Sequence, residues 1–273
     1  MKRENLSALL RQMGLIYYAD LGRYYWQRFR NRTRNRAFVR THPEVALPPD
    51  YLLYESFGLD YHKYYYDGLE TARWLITQLE RHASLREAYV LDWGCGPARI
   101  VRHLPRLLDD YSHCFGTDYN EQTIAWCKKN IPQVRFSHNE LHPPLTYLDQ
   151  FFDIIYGVSI FTHLSEAAHH AWMQELMRVA KPGAVLLFTM HGAAFRSRLT
   201  PAEQKRFDEG KLVVREKVKE GHRMYGAFHP PAFTEQFFSA YGKVLEHIPG
   251  RAPDDLSAGA LRKPEQDVWI LRS

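Results

Sequence analysis

The chain of 273 residues has little cysteine and no long apolar segment. Its three cysteines, Cys95, Cys114 and Cys127, form no C-x-x-C motif and no even set, which argues against a disulfide framework. No apolar run approaches the ~20 residues needed to span a bilayer. Arg11 and Gln12 interrupt the first apolar stretch, so it makes a poor signal peptide. These absences predict a cytoplasmic protein.

Positive charge is concentrated at the amino terminus. The formal net charge is +5, whereas residues 1–40 carry ten lysines and arginines against two acids, a local charge of +8. The remaining residues therefore sum to −3, the difference between these two values. Apolar and aromatic residues accompany the arginines at near-helical spacing: Leu15, Ile16, Tyr18, Ala19, Tyr25, Trp26 and Phe29.

This pattern predicts a basic, aromatic helical arm, for which two interpretations stay open. In the first interpretation, the arm adsorbs to the inner face of an anionic membrane. In the second, it packs on protein, which would be either its own domain or the second subunit of a homodimer. Nucleic acid is not an expected partner, because no compact recognition module is visible. Residues 41–66 follow as a tyrosine-rich connection, and Pro48-Pro49 within it ends any helix. We therefore expect an arm with its linker over 1–66 and a folded domain over 67–273.

Strand and helix patterns alternate after residue 67. We predict strands at 88–93, 113–118, 133–137, 152–158, 184–190, 243–248 and 266–272, and helices at 68–82, 98–108, 120–130, 165–180 and 231–240. The alternation predicts a doubly wound, Rossmann-like α/β fold with a mostly parallel seven-stranded sheet. Residues 195–229 depart from it as a charged insertion, which we expect to act as a substrate cap.

The most informative stretch is Val90-Leu91-Asp92-Trp93-Gly94-Cys95-Gly96-Pro97-Ala98-Arg99. It predicts a strand that ends near an acid, turns on glycines and opens a helix. Asp118 then ends the next strand, where a carboxylate suits a ribose diol. Asp92 would repel a pyrophosphate but attract a ligand with an ammonium and a sulfonium group. Together with Arg99 in place of a third glycine, this favours S-adenosylmethionine over a nicotinamide cofactor.

Residues 87–273 resemble a class I S-adenosylmethionine-dependent methyltransferase. Four blocks occur in the order typical of that family: residues 90–96, 117–119, 152–164 and 180–188. The resemblance implies a methyltransferase domain over 67–273. Within it, Asp92, Gly94 and Gly96 would hold the methionine half of the cofactor, and Asp118 would bind both ribose hydroxyls.

The resemblance also implies cofactor contacts after the other strands. Tyr119 would border the adenine, and Asn139 or Glu140 would contact the adenine edge, although the sequence does not decide which of the two points inward. Tyr156 and Ser159 would lie beneath the reactive methyl group. Members of the family often carry a lid before the first strand, with four candidates here: Ser56, Tyr61, Tyr65 and Gly68.

Three histidines are candidates for a catalytic base. An alcohol acceptor must lose its proton, and a histidine near neutral pKa suits that task. His163, His191 and His229 each follow or precede an element at the expected carboxyl edge of the sheet, although each fits equally an ordinary loop or helix-end histidine. Residues 159–162 (Ser-Ile-Phe-Thr) lack the acids with which some relatives bind metal, so no metal is expected.

The acceptor is less well defined. Residues 156–159 (Tyr-Gly-Val-Ser) differ from the Asn/Asp-Pro-Pro-aromatic tetrad of many nucleic-acid N-methyltransferases. Residues 38–55 and 227–231 resemble bacterial methyltransferases of sugar and surface-glycan synthesis. The leading interpretation is therefore O-methylation of a sugar hydroxyl in glycan biosynthesis. Two alternatives stay open: methylation of another small metabolite, and a non-catalytic S-adenosylmethionine-binding partner in a biosynthetic complex.

Overall fold

A computed structural model describes residues 13, 15–110, 112–215, 218–252 and 265–273. The chain divides into two compact units, which we call the amino-terminal unit (Met13–Glu140) and the carboxy-terminal unit (Leu141–Ser273). Most of the first 14 residues of the predicted arm, two residues of the predicted insertion and most of the last loop lie outside the described residues. The domain boundary at residues 66 and 67 stays a prediction.

The described part of the amino-terminal unit contains four α-helices and three strands. The helices are α1 Ile16–Thr41, α2 Asp50–Ser56, α3 Gly68–Glu80 and α4 Glu121–Asn130, and the strands are β1 Tyr89–Trp93, β2 His113–Asp118 and β3 Arg135–His138. The strands are parallel in the order β3-β2-β1. In β1, Val90, Leu91 and Trp93 are all buried, which is typical of a parallel strand covered on both faces.

Helix α1 packs one face along its own unit. That face buries Tyr24 and Phe38, and it also carries polar groups that meet neighbouring backbone. Asn31 Nδ2 donates a hydrogen bond to Leu59 O (2.6 Å), and Asn35 Oδ1 accepts one from Tyr61 N (3.1 Å). The predicted helical arm is thus confirmed over Ile16–Thr41.

One prediction for this unit is wrong, and one connection is more regular than expected. In place of an α-helix over 98–108, a turn leads into a 3₁₀-helix over Val101–Arg106. Ala98 has φ +59°, outside the helical region, and Pro105 has no N–H to donate within a helix. The connection at 41–66 is also more regular than expected, because it contains α2 and the start of a π-helical turn over Lys63–Asp67.

The described part of the carboxy-terminal unit contains three α-helices and six strands. The helices are α5 Glu166–Val179, α6 Pro201–Asp208 and α7 Pro231–Ser239, and the strands are β4 Phe152–Val158, β5 Ala180–Met190, β6 Val213–Arg215, β7 Gly226–Phe228, β8 Lys243–Ile248 and β9 Asp267–Arg272. Strands β4 and β5 are parallel, and β9 lies antiparallel between β5 and β8. Strands β6 and β7 form a separate antiparallel pair.

The predicted seven-stranded, mostly parallel sheet is confirmed. The amino-terminal unit contributes β3-β2-β1 to it, and the carboxy-terminal unit contributes β4-β5-β9-β8. The described residues of the insertion at 195–229 contain more regular secondary structure than the sequence pattern indicated, namely α6 and the β6–β7 pair. None of the helices that the structure describes has the length and apolar character to cross a membrane.

Candidate functional site

A glycine turn follows β1 and is fastened to the end of β2. Gly94 (φ +75°) and Gly96 (φ +51°) take the left-handed conformation that glycine adopts without strain. The amide groups of Gly94 and Cys95 both donate to Thr117 O, at 2.8 and 2.9 Å. The turn is therefore positioned by backbone hydrogen bonds at the carboxyl end of β2, next to Asp118.

The Asp118 carboxylate accepts hydrogen bonds on both oxygens. Oδ2 accepts from Gly96 N (2.9 Å), and Oδ1 accepts from Asn120 N (2.8 Å). Burial raises the pKa of Asp118, and the two amide donors oppose part of that rise. Helix α4 does not need this carboxylate as its cap, because Asn120 Oδ1 accepts from Thr123 N (3.0 Å). Asn120 is thus the N-cap residue of α4.

Asp92 and Gly116 face each other in the registered pair of β1 and β2. Asp92 is 3% exposed, so its side chain is buried beside the glycine turn. A Cβ atom at Gly116 would lie 2.8 Å from the Phe136 ring and 3.0 Å from the Cys95 sulfur. No larger residue fits at Gly116 unless these neighbours move.

The structure distinguishes the two candidates after β3. Asn139 is buried, and Glu140 is exposed. Asn139 Oδ1 accepts from the Thr117 hydroxyl (2.6 Å), and its Nδ2 donates to Glu140 O (2.6 Å). Asn139 therefore points inward and ties β3 to β2. Tyr119, the remaining candidate here, is 42% exposed beside Asp118, and burial of its hydroxyl raises its pKa to about 12.

The segment before β1 contacts the glycine turn. Some of the contacting residues were predicted as lid residues, and one, Tyr64, was not. Tyr64 is fully buried, and its hydroxyl donates to Pro97 O (2.6 Å) while it accepts from Arg102 Nη1 (2.9 Å). A Cβ atom at Gly96 would lie 3.1 Å from the Ser56 hydroxyl. At Gly68, a Cβ atom would clash with the backbone carbonyl of Arg99.

Of the four lid candidates, Ser56 and Gly68 thus lie at the turn, whereas Tyr61 and Tyr65 make other contacts. The Tyr61 hydroxyl donates to Asp50 Oδ1 (2.5 Å), and the Tyr65 ring packs edge-on against His103. No local pattern distinguishes Tyr64 as the tyrosine at the turn, because three consecutive tyrosines occupy residues 64–66.

Arg99 is held within its own unit. Its guanidinium lies over the Phe57 ring, 4.6 Å from the centroid, and Nη1 donates to the Thr71 hydroxyl (3.2 Å). It also reaches Asp67 O at 3.5 Å. These contacts fasten the start of α3 to the turn that follows β1.

In the carboxy-terminal unit, β4 ends at two of the predicted site residues. Tyr156 is buried within the strand, and Ser159 follows it with φ +67°, an uncommon conformation for a residue other than glycine. Ser159 N donates to Thr189 Oγ1 (2.9 Å), and Ser159 Oγ accepts from Gln266 Nε2 (2.7 Å). Bonds from β5 and from the start of β9 therefore hold this strained residue, which is typical of a functional position.

His163 and His191 are attached to one extended segment. His163 Nδ1 lies 3.3 Å from Tyr225 O, and His191 Nδ1 lies 3.2 Å from Ala227 O. Because a carbonyl oxygen only accepts, each Nδ1 carries the proton and donates it. In the neutral ring, Nε2 then keeps its lone pair. Tyr225 directly precedes β7 and Ala227 lies within it, and the pKa of His191 is lowered by burial and by the charge of His163, so the two rings lie near each other.

Both rings are neutral at physiological pH. Burial lowers the pKa of His163 to about 4 and, together with the nearby His163, that of His191 to about 3. The His191 ring also stacks on Phe195, with 4.1 Å between the centroids. Each residue is half-buried, and its bonded Nδ1 fixes the tautomer of the ring.

His229 has a different environment. It is 1% exposed, and its Nε2 lies 2.8 Å from His169 Nε2. His169 Nδ1 donates to Ser165 O (2.6 Å), so His169 Nε2 must accept, and His229 Nε2 donates. The backbone N–H of His229 donates to His191 O (2.8 Å). The predicted base His229 is therefore enclosed and supports His191 rather than facing an open surface.

The structure brings the predicted residues together in two sets. The amino-terminal unit groups Asp92, Gly94, Gly96, Asp118, Tyr119 and Asn139 around the carboxyl ends of β1, β2 and β3, and the carboxy-terminal unit groups the three histidines. Among the residues that the structure describes, no group of three or more histidines, cysteines or acids is arranged to hold a metal ion.

Sequence comparisons identify related proteins for part of the chain. Residues 90–183 match the family model described as a methyltransferase domain. A Mycolicibacterium smegmatis protein named "Probable S-adenosylmethionine-dependent methyltransferase" is 30% identical over 101 residues, 36% of this chain and 36% of that protein. Phthiotriol/phenolphthiotriol dimycocerosates methyltransferase 1 of Mycobacterium ulcerans is 29% identical over 113 residues, 40% of this chain and 39% of that protein. The chain thus aligns with little more than a third of the length of these curated relatives.

Solved structures share the fold. An S-adenosylmethionine-dependent methyltransferase from Mesorhizobium loti has a TM-score of 0.55 at 14% identity, with 74% of this chain and 98% of that chain covered. One from Methanosarcina mazei has a TM-score of 0.51 at 16% identity, with 72% and 96% covered. The match of residues 90–183 to a methyltransferase domain, together with the shared fold, implies S-adenosylmethionine as the cofactor.

The amino-terminal unit fits that cofactor. Each Asp118 oxygen has one backbone donor and keeps a lone pair for a ribose hydroxyl. Gly94 and Gly96 remove side chains where a ligand would approach the turn, and Asp92 adds negative charge for an ammonium or sulfonium group.

Proposed function

We propose that this chain transfers a methyl group from S-adenosylmethionine to a hydroxyl group of a sugar, with His163 or His191 as the general base. The observation that carries the proposal is the anchoring of both Nδ1 atoms to carbonyl oxygens of neighbouring residues, Tyr225 and Ala227. That anchoring leaves Nε2 of each neutral ring ready to accept a proton. His229 is the third predicted candidate for the base, but it is the weaker one because its side chain is enclosed.

In this mechanism the cofactor supplies a methyl group on a positively charged sulfur. The Asp118 carboxylate holds the ribose hydroxyls, and the Gly94–Gly96 turn leaves room for the methionine portion. Asn139 fixes the end of β3 through Thr117, so the adenine side of the site is rigid. Nε2 of the base takes the proton of the acceptor hydroxyl, while the carbonyl bond on Nδ1 keeps the ring in its orientation.

Two observations support a hydroxyl acceptor. The relative from Mycobacterium ulcerans is named for phthiotriol, and a triol carries hydroxyl groups. Residues 38–55 and 227–231 resemble methyltransferases of sugar and surface-glycan synthesis, and the second segment contains Ala227 and His229, next to the candidate bases. A sugar hydroxyl combines both observations.

The test begins with calorimetric titration of the chain with S-adenosylhomocysteine, in which we expect micromolar affinity. Radiolabelled S-adenosylmethionine is then supplied with sugar nucleotides and with lipid-linked sugars, and methylated product is counted. Absence of binding by the folded chain would contradict the enzyme assignment. Binding with transfer only to amines or carboxylates would contradict the hydroxyl acceptor and favour another small metabolite.

Histidine variants test the base separately. We expect His163→Ala or His191→Ala to slow transfer by ~10²-fold or more for whichever ring is the base, with cofactor affinity nearly unchanged. His170→Ala is the matched control, because His170 is exposed on α5 and bonds to Tyr241 instead (2.8 Å). Equal turnover in all three variants would exclude both rings as the base.

A further inference from the structure

The outward face of α1 is divided into an aromatic half and a basic half. Its first half exposes six large apolar side chains, and Phe29 and Tyr18 are 81% and 74% exposed. The full set is Tyr17, Tyr18, Leu21, Tyr25, Trp26 and Phe29. From residue 17 to residue 29 the helix rises ~18 Å, so these side chains form an extended apolar strip in water.

Four arginines continue the same face toward the end of the helix. Arg28, Arg32, Arg36 and Arg40 are spaced four residues apart, which places them in one row along the helix. Together with Tyr25 and Phe29, they line a groove of about 950 Å³. We call the apolar strip and the arginine row together the arginine–aromatic face.

Little negative charge balances this face. Asp20 is the only acid in α1, and it is buried, where its carboxylate accepts from the Tyr54 hydroxyl (2.7 Å). Arg28 pairs with Asp50 at 3.2 Å. Within the described residues, no carboxylate is paired with Arg32, Arg36 or Arg40, and all three are exposed. Three neighbouring positive charges thus face solvent on a rigid helix.

We propose that the arginine–aromatic face docks on a bilayer that contains acidic phospholipids. The row of guanidinium groups would contact lipid phosphates, and the aromatic strip would lie at the level of the headgroups, where tyrosine and tryptophan are favoured. A small soluble anion would bind the arginines but leave the ~18-Å apolar strip in water. A bilayer surface would contact both the arginine row and the apolar strip. This surface is independent of the proposed methyl transfer, and its test requires no activity.

The test is co-sedimentation of the full chain with vesicles of phosphatidylcholine alone and of phosphatidylcholine mixed with phosphatidylglycerol. We expect binding to the mixed vesicles only, weakened by added salt. The Arg32→Gln/Arg36→Gln/Arg40→Gln variant should bind about 100-fold more weakly, because each basic residue at an acidic surface contributes about a factor of five. Its matched control removes three exposed arginines elsewhere in the same unit: Arg73→Gln/Arg81→Gln/Arg86→Gln.

A second variant probes the aromatic half without changing the charge. Trp26→Ser/Phe29→Ser should weaken vesicle binding about tenfold and leave its salt dependence unchanged. Both side chains are exposed, so the fold should persist, which thermal unfolding will verify. Because the expected losses differ between the two halves, each half of the face is tested on its own.

Four outcomes would overturn the proposal. These are equal binding to both vesicle types, equal loss in the two arginine variants, tighter binding of single-stranded DNA than of acidic vesicles, and a dimer in sedimentation velocity that the Trp26→Ser/Phe29→Ser variant dissociates. The third outcome would assign the face to nucleic acid, and the fourth would assign it to a second copy of the chain.

Discussion

Replacing Asp118 with asparagine removes one negative charge from the end of β2 and keeps the size of the side chain. In the parent protein, the Asp118 carboxylate accepts a hydrogen bond from Gly96 N on one oxygen and from Asn120 N on the other. An asparagine oxygen can retain one of these bonds, whereas its NH₂ group cannot accept the other. The change therefore acts on the glycine turn and on the proposed ribose contact at once.

The magnitude follows from the number of hydrogen bonds to a charged group. Such a bond contributes about 1.5–3 kcal/mol, and two ribose hydroxyls would be affected. Because asparagine still accepts one of them, we expect a net loss of about 2–3 kcal/mol, or roughly 30- to 150-fold in affinity. Relief from burying a charge offsets part of the lost backbone bond, so the free energy of unfolding should change by less than about 2 kcal/mol.

The assay is calorimetric titration with S-adenosylhomocysteine, accompanied by thermal unfolding of each variant. The control is Asp110→Asn, since Asp110 is an exposed acid in the loop that precedes β2, away from Asp118. An Asp118→Asn protein that folds normally and binds within about threefold of the parent would refute the ribose assignment.

The same carboxylate predicts a pH dependence of binding. Burial raises the pKa of Asp118, so it takes up a proton at a higher pH than an ordinary aspartate. A protonated carboxyl group accepts less well, and affinity should therefore fall as the pH is lowered through the Asp118 pKa. In Asp118→Asn this dependence should disappear, and its persistence would assign it to another group.

Three further predictions concern catalysis and stability. Because the pKa values of His163 and His191 lie at about 4 and about 3, the rate of methyl transfer should show no histidine-controlled fall between about pH 8 and pH 6, and a fall centred near 6.5 would contradict this. Gly116→Ala should lower the free energy of unfolding by about 1–3 kcal/mol in urea titration, whereas Gly22→Ala, on an open helix face, should not lower it. Asn120→Ala should cost about 1 kcal/mol by the same measurement through loss of the α4 cap, and no change would contradict the Thr123 bond.

The fold was predictable where the local pattern and the tertiary structure agree. Buried runs such as 90–93 and 152–158 were predicted as strands from composition alone, and the helix predicted at 120–130 matches α4. The α-helix predicted at 98–108 was wrong because Ile100, Val101 and Leu104 have helical spacing. That spacing does not distinguish an α-helix from a 3₁₀-helix. The left-handed Ala98 before them is fixed by its surroundings and not by its own preference.

The sequence predicted which residues belong to the site better than it predicted their orientations and contacts. The glycine turn and Asp118 belong to a motif in which each residue type has a local chemical reason. Which of Asn139 and Glu140 points inward depends on Thr117, and the contact of Tyr64 with Pro97 joins residues 33 positions apart. The pairing of His229 with His169 spans 60 positions and likewise leaves no sign in the local sequence.

The buried histidines of the carboxy-terminal unit make its folded state sensitive to acid. Burial lowers the pKa of His163 and His169 to about 4 and of His191 to about 3, while unfolded histidine titrates near 6.5. Below about pH 6.5 the unfolded chain therefore binds more protons than the folded one, and stability is lost as the pH falls. At about pH 5 each ring contributes about 2 kcal/mol to this loss, and the three together are comparable with the lower end of the ~5–15 kcal/mol by which native proteins are stable. The burial that keeps these imidazoles neutral thus also sets an acid limit on the conditions in which the protein stays folded.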